Sequence, residues 1–454
     1  MGISDEKPNG SHTHFKVGVF GHYGRQNLGD ESLTAAVIAN VRRIAPDAEI
    51  MGFSLDPNDT TKRYGVPAAA IRSSVTRLPA KEQTKGATAL AAEQTSGKGL
   101  VAALKRVGWL RRTYEILHHL PATLAGVGRE CWFVGYMWQS LSDVDLLVIA
   151  GSNQMFDFVG GAWEFPYTLF KWTAIAALRN VKVALVSVGA GPLDGKLARF
   201  FVRGCLARAQ FVSVRDEGSR ELVEGLGYER TLQVSPDLAF SLPTGRGFRP
   251  QVAGTQGLVA INPMPVFDPR YWPESDPEKY RRYVRELAAV CSTLVRGGRR
   301  VVLFGTHPAD EWAAEDVLAE IGPDVLPAGS IELIRARSLD EVLDLIERSE
   351  AVVATRFHGI VLSLLMGTPT VGVCYYRKSR ELMGSVGVGE YAVDFDDVTA
   401  TGVLSQLDSA IRLRPQIVET LRRTVSENRS RLERQYQDVL GVSGLPRPAP
   451  VLSR

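Results

Sequence analysis

The chain has 454 residues, of which 45% are hydrophobic and 23% charged, a composition typical of soluble globular proteins. This length exceeds what one hydrophobic core serves, so we expect two to three domains. The formal net charge of +3 argues against nucleic acid as a partner. The sequence has no run of about 18 apolar residues that would predict a transmembrane span. Residues 1–15 are polar and predict a disordered leader instead of a signal peptide.

The cysteines lie far apart and form no CxxC pair, which predicts buried free thiols at Cys131, Cys205, Cys291 and Cys374. Free thiols fit a reducing cytoplasm. Nowhere do histidine, cysteine and acidic residues have the spacing of metal ligands, so we expect no metal and no cofactor.

The first predicted strand and turn cover residues 16–24, and the next segment has apolar residues at a helical period. The turn between them is polar, and Asp30 either caps the helix or lies in its first turn. Taken singly, Asn27 and Asp30 are typical turn and cap residues. Together the polar residues indicate the rim of a site: His22, Tyr23, Arg25, Gln26, Asn27 and Asp30.

A second strand is predicted at residues 48–55, after which the pattern weakens. Residues 81–99 are rich in small and polar residues and predict a loop or a disordered insertion. Residues 100–120 recover a helical period with four basic residues. Such a helix can lie on an anionic membrane surface, although a solvated face is the commoner explanation.

Several predicted strands of the first half end in small or polar residues. The strand at 143–151 is followed by Ser152 and Asn153, the strand at 182–191 ends in glycines, and the strand at 211–215 ends in Arg215. The carboxyl ends of parallel strands are where open α/β sheets bind ligands. We therefore expect these residues at one edge of a sheet.

Residues 243–257 are rich in glycine and proline and mark the best domain boundary. Strands and helices alternate on both sides of it, which predicts two doubly wound, Rossmann-like α/β domains at 16–245 and 255–400. Helices are predicted at 401–440, before a loose tail at 441–454. If a C-terminal helix crosses back to the first domain, the two domains face each other across a cleft, as in GT-B glycosyltransferases.

The stretch from Ala351 to Lys378 reads as strand, helix, strand, a βαβ unit with parallel strands. Arg356 and His358 lie where the first strand ends and the helix begins, and Lys378 follows the second strand. A helix N-terminus favours anions, arginine matches phosphate or carboxylate, and histidine exchanges protons near neutral pH. A single histidine there is more often structural than catalytic, but the surrounding arginine, glycine and lysine indicate a site.

Four stretches together resemble the polysaccharide pyruvyl transferase family: GHYGRQNLGDESL, SVGAGPL, SVRDEGSREL and ATRFHGIVLSLLMGTPTVGVCYYRK. The resemblance runs from about residue 16 to residue 397. It implies a GT-B-like fold and transfer of a pyruvyl group from phosphoenolpyruvate to a sugar, forming a cyclic ketal. The chain departs from the family pattern at residues 150–152, where Ala-Gly-Ser replaces a run of glycines, and in its long segment at 81–120.

The resemblance places the family's functional residues on Asp30, Arg215, Arg356, His358 and Lys378. In phosphoenolpyruvate chemistry we expect Arg215, Arg356 and Lys378 to bind the phosphate and carboxylate. His358 is the candidate acid that protonates C3, and Asp30 the candidate base for the sugar hydroxyl. We expect the acceptor to contact Asn27, Ser152 and Asn153.

Two other functions fit the same patterns. One is a GT-B nucleotide-sugar glycosyltransferase, and the other is a non-catalytic scaffold for envelope-polysaccharide assembly. The expected partners are phosphoenolpyruvate and a sugar acceptor, free or lipid-linked, at a cytoplasmic location. Contact with the inner face of the membrane would then run through residues 100–120.

Overall fold

The computed structural model describes residues 15–73, 128–245, 248, 257–272, 274–322, 327 and 329–442. The predicted insertion at 81–120, almost all of the predicted leader at 1–15 and most of the tail at 441–454 lie outside these residues.

The N-terminal lobe is a parallel sheet with helices on both faces. Its strands are β1 (Lys16–Phe20), β2 (Glu49–Ser54), β3 (Ala68–Ala70), β4 (Leu146–Ala150), β5 (Asn153–Met155), β6 (Lys182–Ala190), β7 (Phe211–Val214) and β8 (Gln233–Val234). Its helices are α1 (Leu28–Ile44), α2 (Pro57–Tyr64), α3 (128–140), α4 (Phe165–Leu178), α5 (Lys196–Arg208) and α6 (Glu217–Gly225). The strand order is β3-β2-β1-β4-β6-β7-β8, and β5 pairs with the end of β6.

The C-terminal lobe repeats this design with six parallel strands. They are β9 (Leu258–Asn262), β10 (Arg300–Phe304), β11 (Ile331–Ile334), β12 (Ala351–Ala354), β13 (Thr370–Cys374) and β14 (Ala392–Asp394), in the order β11-β10-β9-β12-β13-β14. The helices are α7 (Pro277–Arg296), α8 (Asp310–Ile321), α9 (Leu339–Arg348), α10 (Phe357–Leu365), α11 (Arg377–Ser385), α12 (Ala400–Arg412) and α13 (Arg414–Gly441).

Buried apolar side chains form one cluster that crosses from lobe to lobe. It contains Val17 of β1, Leu33 of α1, Leu364 of α10 and Leu421 of α13. A second cluster lies between the N-terminal sheet and α3, α4 and α5, and a third lies beneath α7 and α12. Because the first cluster is shared, the two lobes are held against each other by core packing.

Helix α13 returns from the C-terminal lobe to the N-terminal lobe. The Gln435 amide donates to Ser187 Oγ at 3.0 Å, and Arg431 donates to the Val234 carbonyl at 2.7 Å. The expected architecture is confirmed: two doubly wound α/β domains of the GT-B type, with a terminal helix that joins them.

Two expectations about side chains are wrong. The sequence predicts a helix at residues 197–209 with Phe200, Phe201, Cys205 and Leu206 on its apolar face, but Phe200 is exposed, because the buried face of α5 repeats at Ala198, Phe201 and Cys205. Cys131 is also exposed, since α3 buries Phe133 instead, whereas the other three cysteines are buried. Within the described part of the chain, no helix is both long and apolar enough to cross a bilayer.

Substitution of Leu421 by alanine should lower the free energy of unfolding by roughly 2–5 kcal/mol, because the side chain is fully buried in the shared cluster. Urea unfolding measures this. Leu413→Ala, at an exposed position just before α13, is the matched control and should cost far less. Equal losses in the two variants would show that α13 does not pack as described.

Candidate active site

The site is built where the start of α1 meets the end of β10. The backbone N–H of Leu28 donates to the Thr306 carbonyl at 2.7 Å, joining the two lobes. Asn27 caps α1 by accepting from the Gly29 N–H at 3.2 Å, and its amide donates to Asp30 at 2.7 Å. Asp30 thus lies in the first helical turn, close enough to the C-terminal lobe for the Arg356 charge to act on its carboxylate.

His358, the second residue of α10, packs directly on the N-terminus of α1. A Cβ atom at Gly29 would clash with the imidazole ring, so the glycine is what allows this approach. The NLGD turn therefore fixes both the cap of α1 and the position of the histidine from the other lobe.

Asp237 lies at the centre of the contact between the lobes. Its fully buried carboxylate accepts from Arg215 Nη1 at 3.0 Å, and its other oxygen accepts from the Ala239 N–H at 3.0 Å. His358 Nε2 lies 3.8 Å from the carboxylate oxygen that Arg215 contacts. The Arg215 guanidinium also lies over the Phe357 ring at 4.5 Å. Arginine and histidine from opposite lobes thus share one buried carboxylate.

The environment of His358 keeps its imidazole neutral at pH 7. Burial lowers its pKa to about 4; the Asp237 carboxylate opposes this shift, and the Arg215 and Arg356 charges add to it. Among the described residues, none forms a hydrogen bond with Nε2. Nε2 is thus a buried ring nitrogen whose hydrogen-bonding capacity is unused by the described part of the chain.

The pKa of Asp30 is shifted in the opposite direction, upward. Burial raises its pKa to about 7, the neighbouring Glu31 carboxylate adds to the rise, and the Arg215 and Arg356 charges oppose it. A carboxyl group with this pKa exchanges protons near neutral pH, as a general acid or base must.

Arg356, just before α10, is bound to the buried carboxylate of Asp310. Its Nε donates to both carboxylate oxygens at 2.8 Å, and its Nη2 makes a further contact. Asp310 also accepts from the N–H groups of Thr306 and His307, each at 3.0 Å. Two of the three guanidinium nitrogens are thereby committed within the C-terminal lobe.

Lys378, in the first turn of α11, reaches across to the N-terminal lobe. Its Nζ donates to the Ala190 carbonyl at 2.9 Å and to the Asn153 side chain at 3.1 Å, and it lies 3.7 Å from Asp216. Burial lowers its pKa to about 8; the Arg215 charge adds to this shift and Asp216 opposes it.

Gly189 allows the side chains of Asn153 and Arg215 to approach the end of β6 closely. A Cβ atom there would lie 2.9 Å from the Asn153 side-chain oxygen and 3.0 Å from Arg215 Nη2. Asn153 is therefore held beside Arg215 and Lys378. Ser152 lies next to it and is buried, with its carbonyl accepting from the Gly189 N–H at 3.1 Å.

The structure gathers the predicted catalytic and donor-binding residues, Asp30, Arg215, Arg356, His358 and Lys378, at the boundary between the lobes. Tyr23, expected at the rim of the site, instead lies in the core of the N-terminal lobe, where its hydroxyl donates to the Val19 carbonyl at 2.6 Å. The reasoning from sequence missed the acidic partners of the basic residues, Asp216, Asp237 and Asp310. Each of these follows the end of a strand, and that position was the available signal. Among the described residues, no group of three or more histidine, cysteine or acidic side chains is arranged to hold a metal ion.

Solved structures of an epimerase and a glycosyltransferase share this two-lobed fold. A putative UDP-N-acetylglucosamine 2-epimerase from Listeria monocytogenes matches with a TM-score of 0.55 and 11% identity, over 97% of this chain and 100% of that one. A glycosyltransferase from Rickettsia africae matches with a TM-score of 0.53 and 10% identity, over 94% of this chain and 99% of that one. The protein is therefore of the GT-B-like class in its fold.

The sequence profile described as polysaccharide pyruvyl transferase matches residues 27–377, most of the chain. The chain belongs to this family, as its motifs indicated. The amylovoran biosynthesis protein AmsJ of Erwinia amylovora is 22% identical over 316 residues, which are 66% of this chain and 73% of that protein. The matched range includes Asp30, Arg215, Arg356 and His358, and ends one residue before Lys378.

Asp30→Asn should stabilise the protein in a pH-dependent way. Burial raises the pKa of Asp30 from 3.8 to about 7, so the folded state binds this proton more tightly than the unfolded chain. The free energy of unfolding of the wild type therefore falls as the pH rises from about 4 to about 7, whereas that of the Asp30→Asn variant does not fall for this reason. Above pH 7 we expect a constant advantage on the order of 2 kcal/mol, which allows for the partial exposure of the side chain.

Urea unfolding at several pH values measures this difference. Asp47→Asn removes an exposed carboxylate just after the same helix. Its stability relative to the wild type should show no comparable rise with pH. An Asp30→Asn difference that stays flat between pH 4 and pH 7 would contradict the raised pKa.

Proposed function

We propose that this protein transfers a pyruvyl group from phosphoenolpyruvate to a sugar of a polysaccharide or glycolipid precursor, forming a cyclic ketal and releasing phosphate. The observation that carries the proposal is the meeting of Arg215 and His358, from opposite lobes, on the buried carboxylate of Asp237. Both residues lie within the range that matches the pyruvyl transferase family.

The donor carries a phosphate and a carboxylate, and three cationic side chains are available for them. In the free protein Arg215 contacts Asp237, Arg356 contacts Asp310, and Lys378 lies beside Asp216. These side chains are mostly buried, so donor entry requires the lobes to separate or the side chains to exchange partners. The anion would then replace part of the carboxylate contacts and keep Lys378 protonated.

The first chemical step is protonation of C3 of the enol, which makes C2 electrophilic. His358 is neutral in the free protein because its pKa is about 4. A bound phosphate dianion near its free Nε2 favours the imidazolium and raises that pKa. Donor binding therefore converts His358 to the protonated form that can act as the acid. Without the donor, the imidazole stays neutral.

The next steps join two sugar hydroxyls to C2. The first hydroxyl attacks C2 and loses its proton to Asp30, whose pKa of about 7 suits a base at neutral pH. The C2–O bond to phosphate then breaks, the second hydroxyl closes the ring, and its proton leaves with the phosphate. After turnover Asp30 holds one extra proton and His358 lacks one, and proton exchange with solvent restores both side chains. In the net reaction one hydroxyl proton ends on C3 and the other on phosphate, so atoms and charge balance.

The acceptor would lie on the N-terminal side, beside Asn27, Ser152 and Asn153. Asn27 contacts the candidate base, and Asn153 contacts Lys378, so acceptor and donor sites share side chains. The similarity to an amylovoran biosynthesis protein supports a polysaccharide acceptor. These steps use no cofactor, and we expect the enzyme to work in the cytoplasm on an acceptor that is free or linked to lipid.

Mass spectrometry of the products tests the proposal. The protein is incubated with phosphoenolpyruvate and a panel of synthetic and lipid-linked glycosides, and we expect a pyruvyl ketal on an acceptor together with free phosphate. His358→Gln should lower the turnover number by at least about 100-fold while donor binding persists, because only the acid is removed. His307→Gln, a partly buried histidine at the end of β10 outside the proposed chemistry, is the matched control.

Thermal unfolding separates this proposal from a nucleotide-sugar glycosyltransferase. Phosphoenolpyruvate at 100 times its Kd should stabilise the fold by about 2.7 kcal/mol. Lys378→Met should weaken that effect, and it is preferable to Arg356→Ala, which would leave Asp310 buried without its partner. Stabilisation by UDP- or GDP-sugars but not by phosphoenolpyruvate would overturn the proposal.

A further inference from the structure

Three helices lie side by side on the outer face of the N-terminal lobe. Helix α4 is in the middle, with α3 on one side and α5 on the other. Lys171 of α4 pairs with Glu130 of α3 at 2.6 Å, and the ring of Phe170 in α4 lies 5.2 Å from that of Phe201 in α5. The inward faces of all three helices belong to one buried cluster, so their outward faces form one continuous surface.

This surface exposes large apolar side chains that take no part in the core. Each of them is between 41% and 69% exposed: Trp132, Trp138, Trp163, Leu178, Leu197 and Phe200. Single exposed apolar residues are common, but a group that includes three tryptophans on adjacent elements is characteristic of an interaction site. We call the outward surface of α3, α4, α5 and Trp163 the aromatic–basic face.

The same face is strongly basic. Residues 128–140, 165–178 and 196–208 contain one acidic residue, Glu130, which Lys171 neutralises. Helix α5 contains four basic residues and no acidic one. The unbalanced basic residues are Arg129, Lys196, Arg199, Arg203 and Arg208.

A groove of about 530 Å³ runs along α5. The Phe170 ring packs on Gly204, where a Cβ atom would lie 2.6 Å from the ring, and the Arg208 guanidinium lies 5.2 Å from its centre. Lys196, Arg199 and Arg203 line the walls. Cationic walls over an aromatic base are suited to phosphate head groups next to acyl chains.

The face also continues to the rim of the cleft. Trp163 packs on Phe201 with ring centres 5.5 Å apart. Phe158 and Val159, just after β5, are exposed, and the Phe158 ring lies 6.5 Å from Trp272 of the opposite lobe. Apolar surface thus leads from α5 to the strand that carries Asn153.

We propose that the aromatic–basic face docks the protein on an anionic lipid membrane. Tryptophan and phenylalanine suit the interface between head groups and acyl chains, and arginine and lysine are drawn to anionic head groups. The cleft then opens beside the bilayer surface. The proposal concerns binding alone and does not depend on the donor chemistry.

Charge favours an anionic membrane over two other occupants of this face, a second copy of the chain and residues 74–127 of the same chain. A second copy of the chain docked through the same face would bring two basic surfaces together, which is unfavourable. Residues 74–127 contain eight lysines and arginines and three glutamates, so that segment is basic too and does not neutralise the face. An anionic bilayer supplies both the negative charge and the apolar layer.

Vesicle co-sedimentation of the full chain tests the proposal. Vesicles of phosphatidylglycerol and phosphatidylcholine should bind the protein, vesicles of phosphatidylcholine alone should bind it much more weakly, and added salt should weaken binding. Arg199→Glu with Arg203→Glu should reduce the partition coefficient at least roughly tenfold. Arg285→Glu with Arg296→Glu, at exposed positions on α7, changes the net charge equally and should leave binding nearly unchanged.

A second variant tests the apolar part of the face. Trp163→Ser with Phe200→Ser should weaken vesicle binding several-fold without loss of fold, because both side chains are largely exposed. Equal binding by the two arginine variants would place the attraction elsewhere, such as in residues 74–127, and overturn the proposal. Absence of binding to anionic vesicles would overturn it as well, and so would self-association that only the Arg199/Arg203 variant abolishes.

Discussion

The buried carboxylate of Asp237 is the contact on which the site depends. It holds Arg215 from its own lobe at 3.0 Å and lies 3.8 Å from the imidazole of the opposite lobe. A carboxylate without solvent is costly unless cations or N–H groups surround it. Arg215 and the Ala239 N–H supply that environment from the N-terminal lobe, and His358 of the opposite lobe packs beside it. The shared apolar cluster and α13 supply the packing that keeps the lobes together, and Gly29 and Gly189 supply the close approaches.

Desolvation explains the unusual proton affinities at this boundary. The same burial lowers the pKa of His358 to about 4 and of Lys378 to about 8, and raises that of Asp30 to about 7. In the free protein His358 is therefore a neutral imidazole, and the Asp30 carboxyl group exchanges its proton near pH 7. In the proposed reaction an incoming dianion shifts this balance, which couples donor binding to acid formation.

The sequence allowed much of this to be predicted, for a physical reason. Strand ends of one parallel sheet share an edge, and the edges of two doubly wound domains meet when the domains face each other across a cleft. Arg215 could therefore be expected near Arg356 and His358 once the strands and the two domains were recognised. The acidic partners could not be assigned, because which carboxylate meets which cation depends on how the lobes pack. Short strands such as β3 and β5, with three residues each, are too brief to show a period. Phe200 is exposed because of its angular position on α5, and the apolar character of a residue does not by itself indicate which face of a helix it lies on.

In the proposed mechanism His358 is a desolvated, neutral imidazole that becomes an acid when the dianion binds. NMR titration of protein labelled in its seven histidines, with the His358 signal assigned by its loss in His358→Gln, measures this most directly. We expect a pKa of about 4 in the free protein and a clear rise when phosphoenolpyruvate is added. A free-state pKa close to 6.5, the usual value for histidine, that does not change with phosphoenolpyruvate would contradict it.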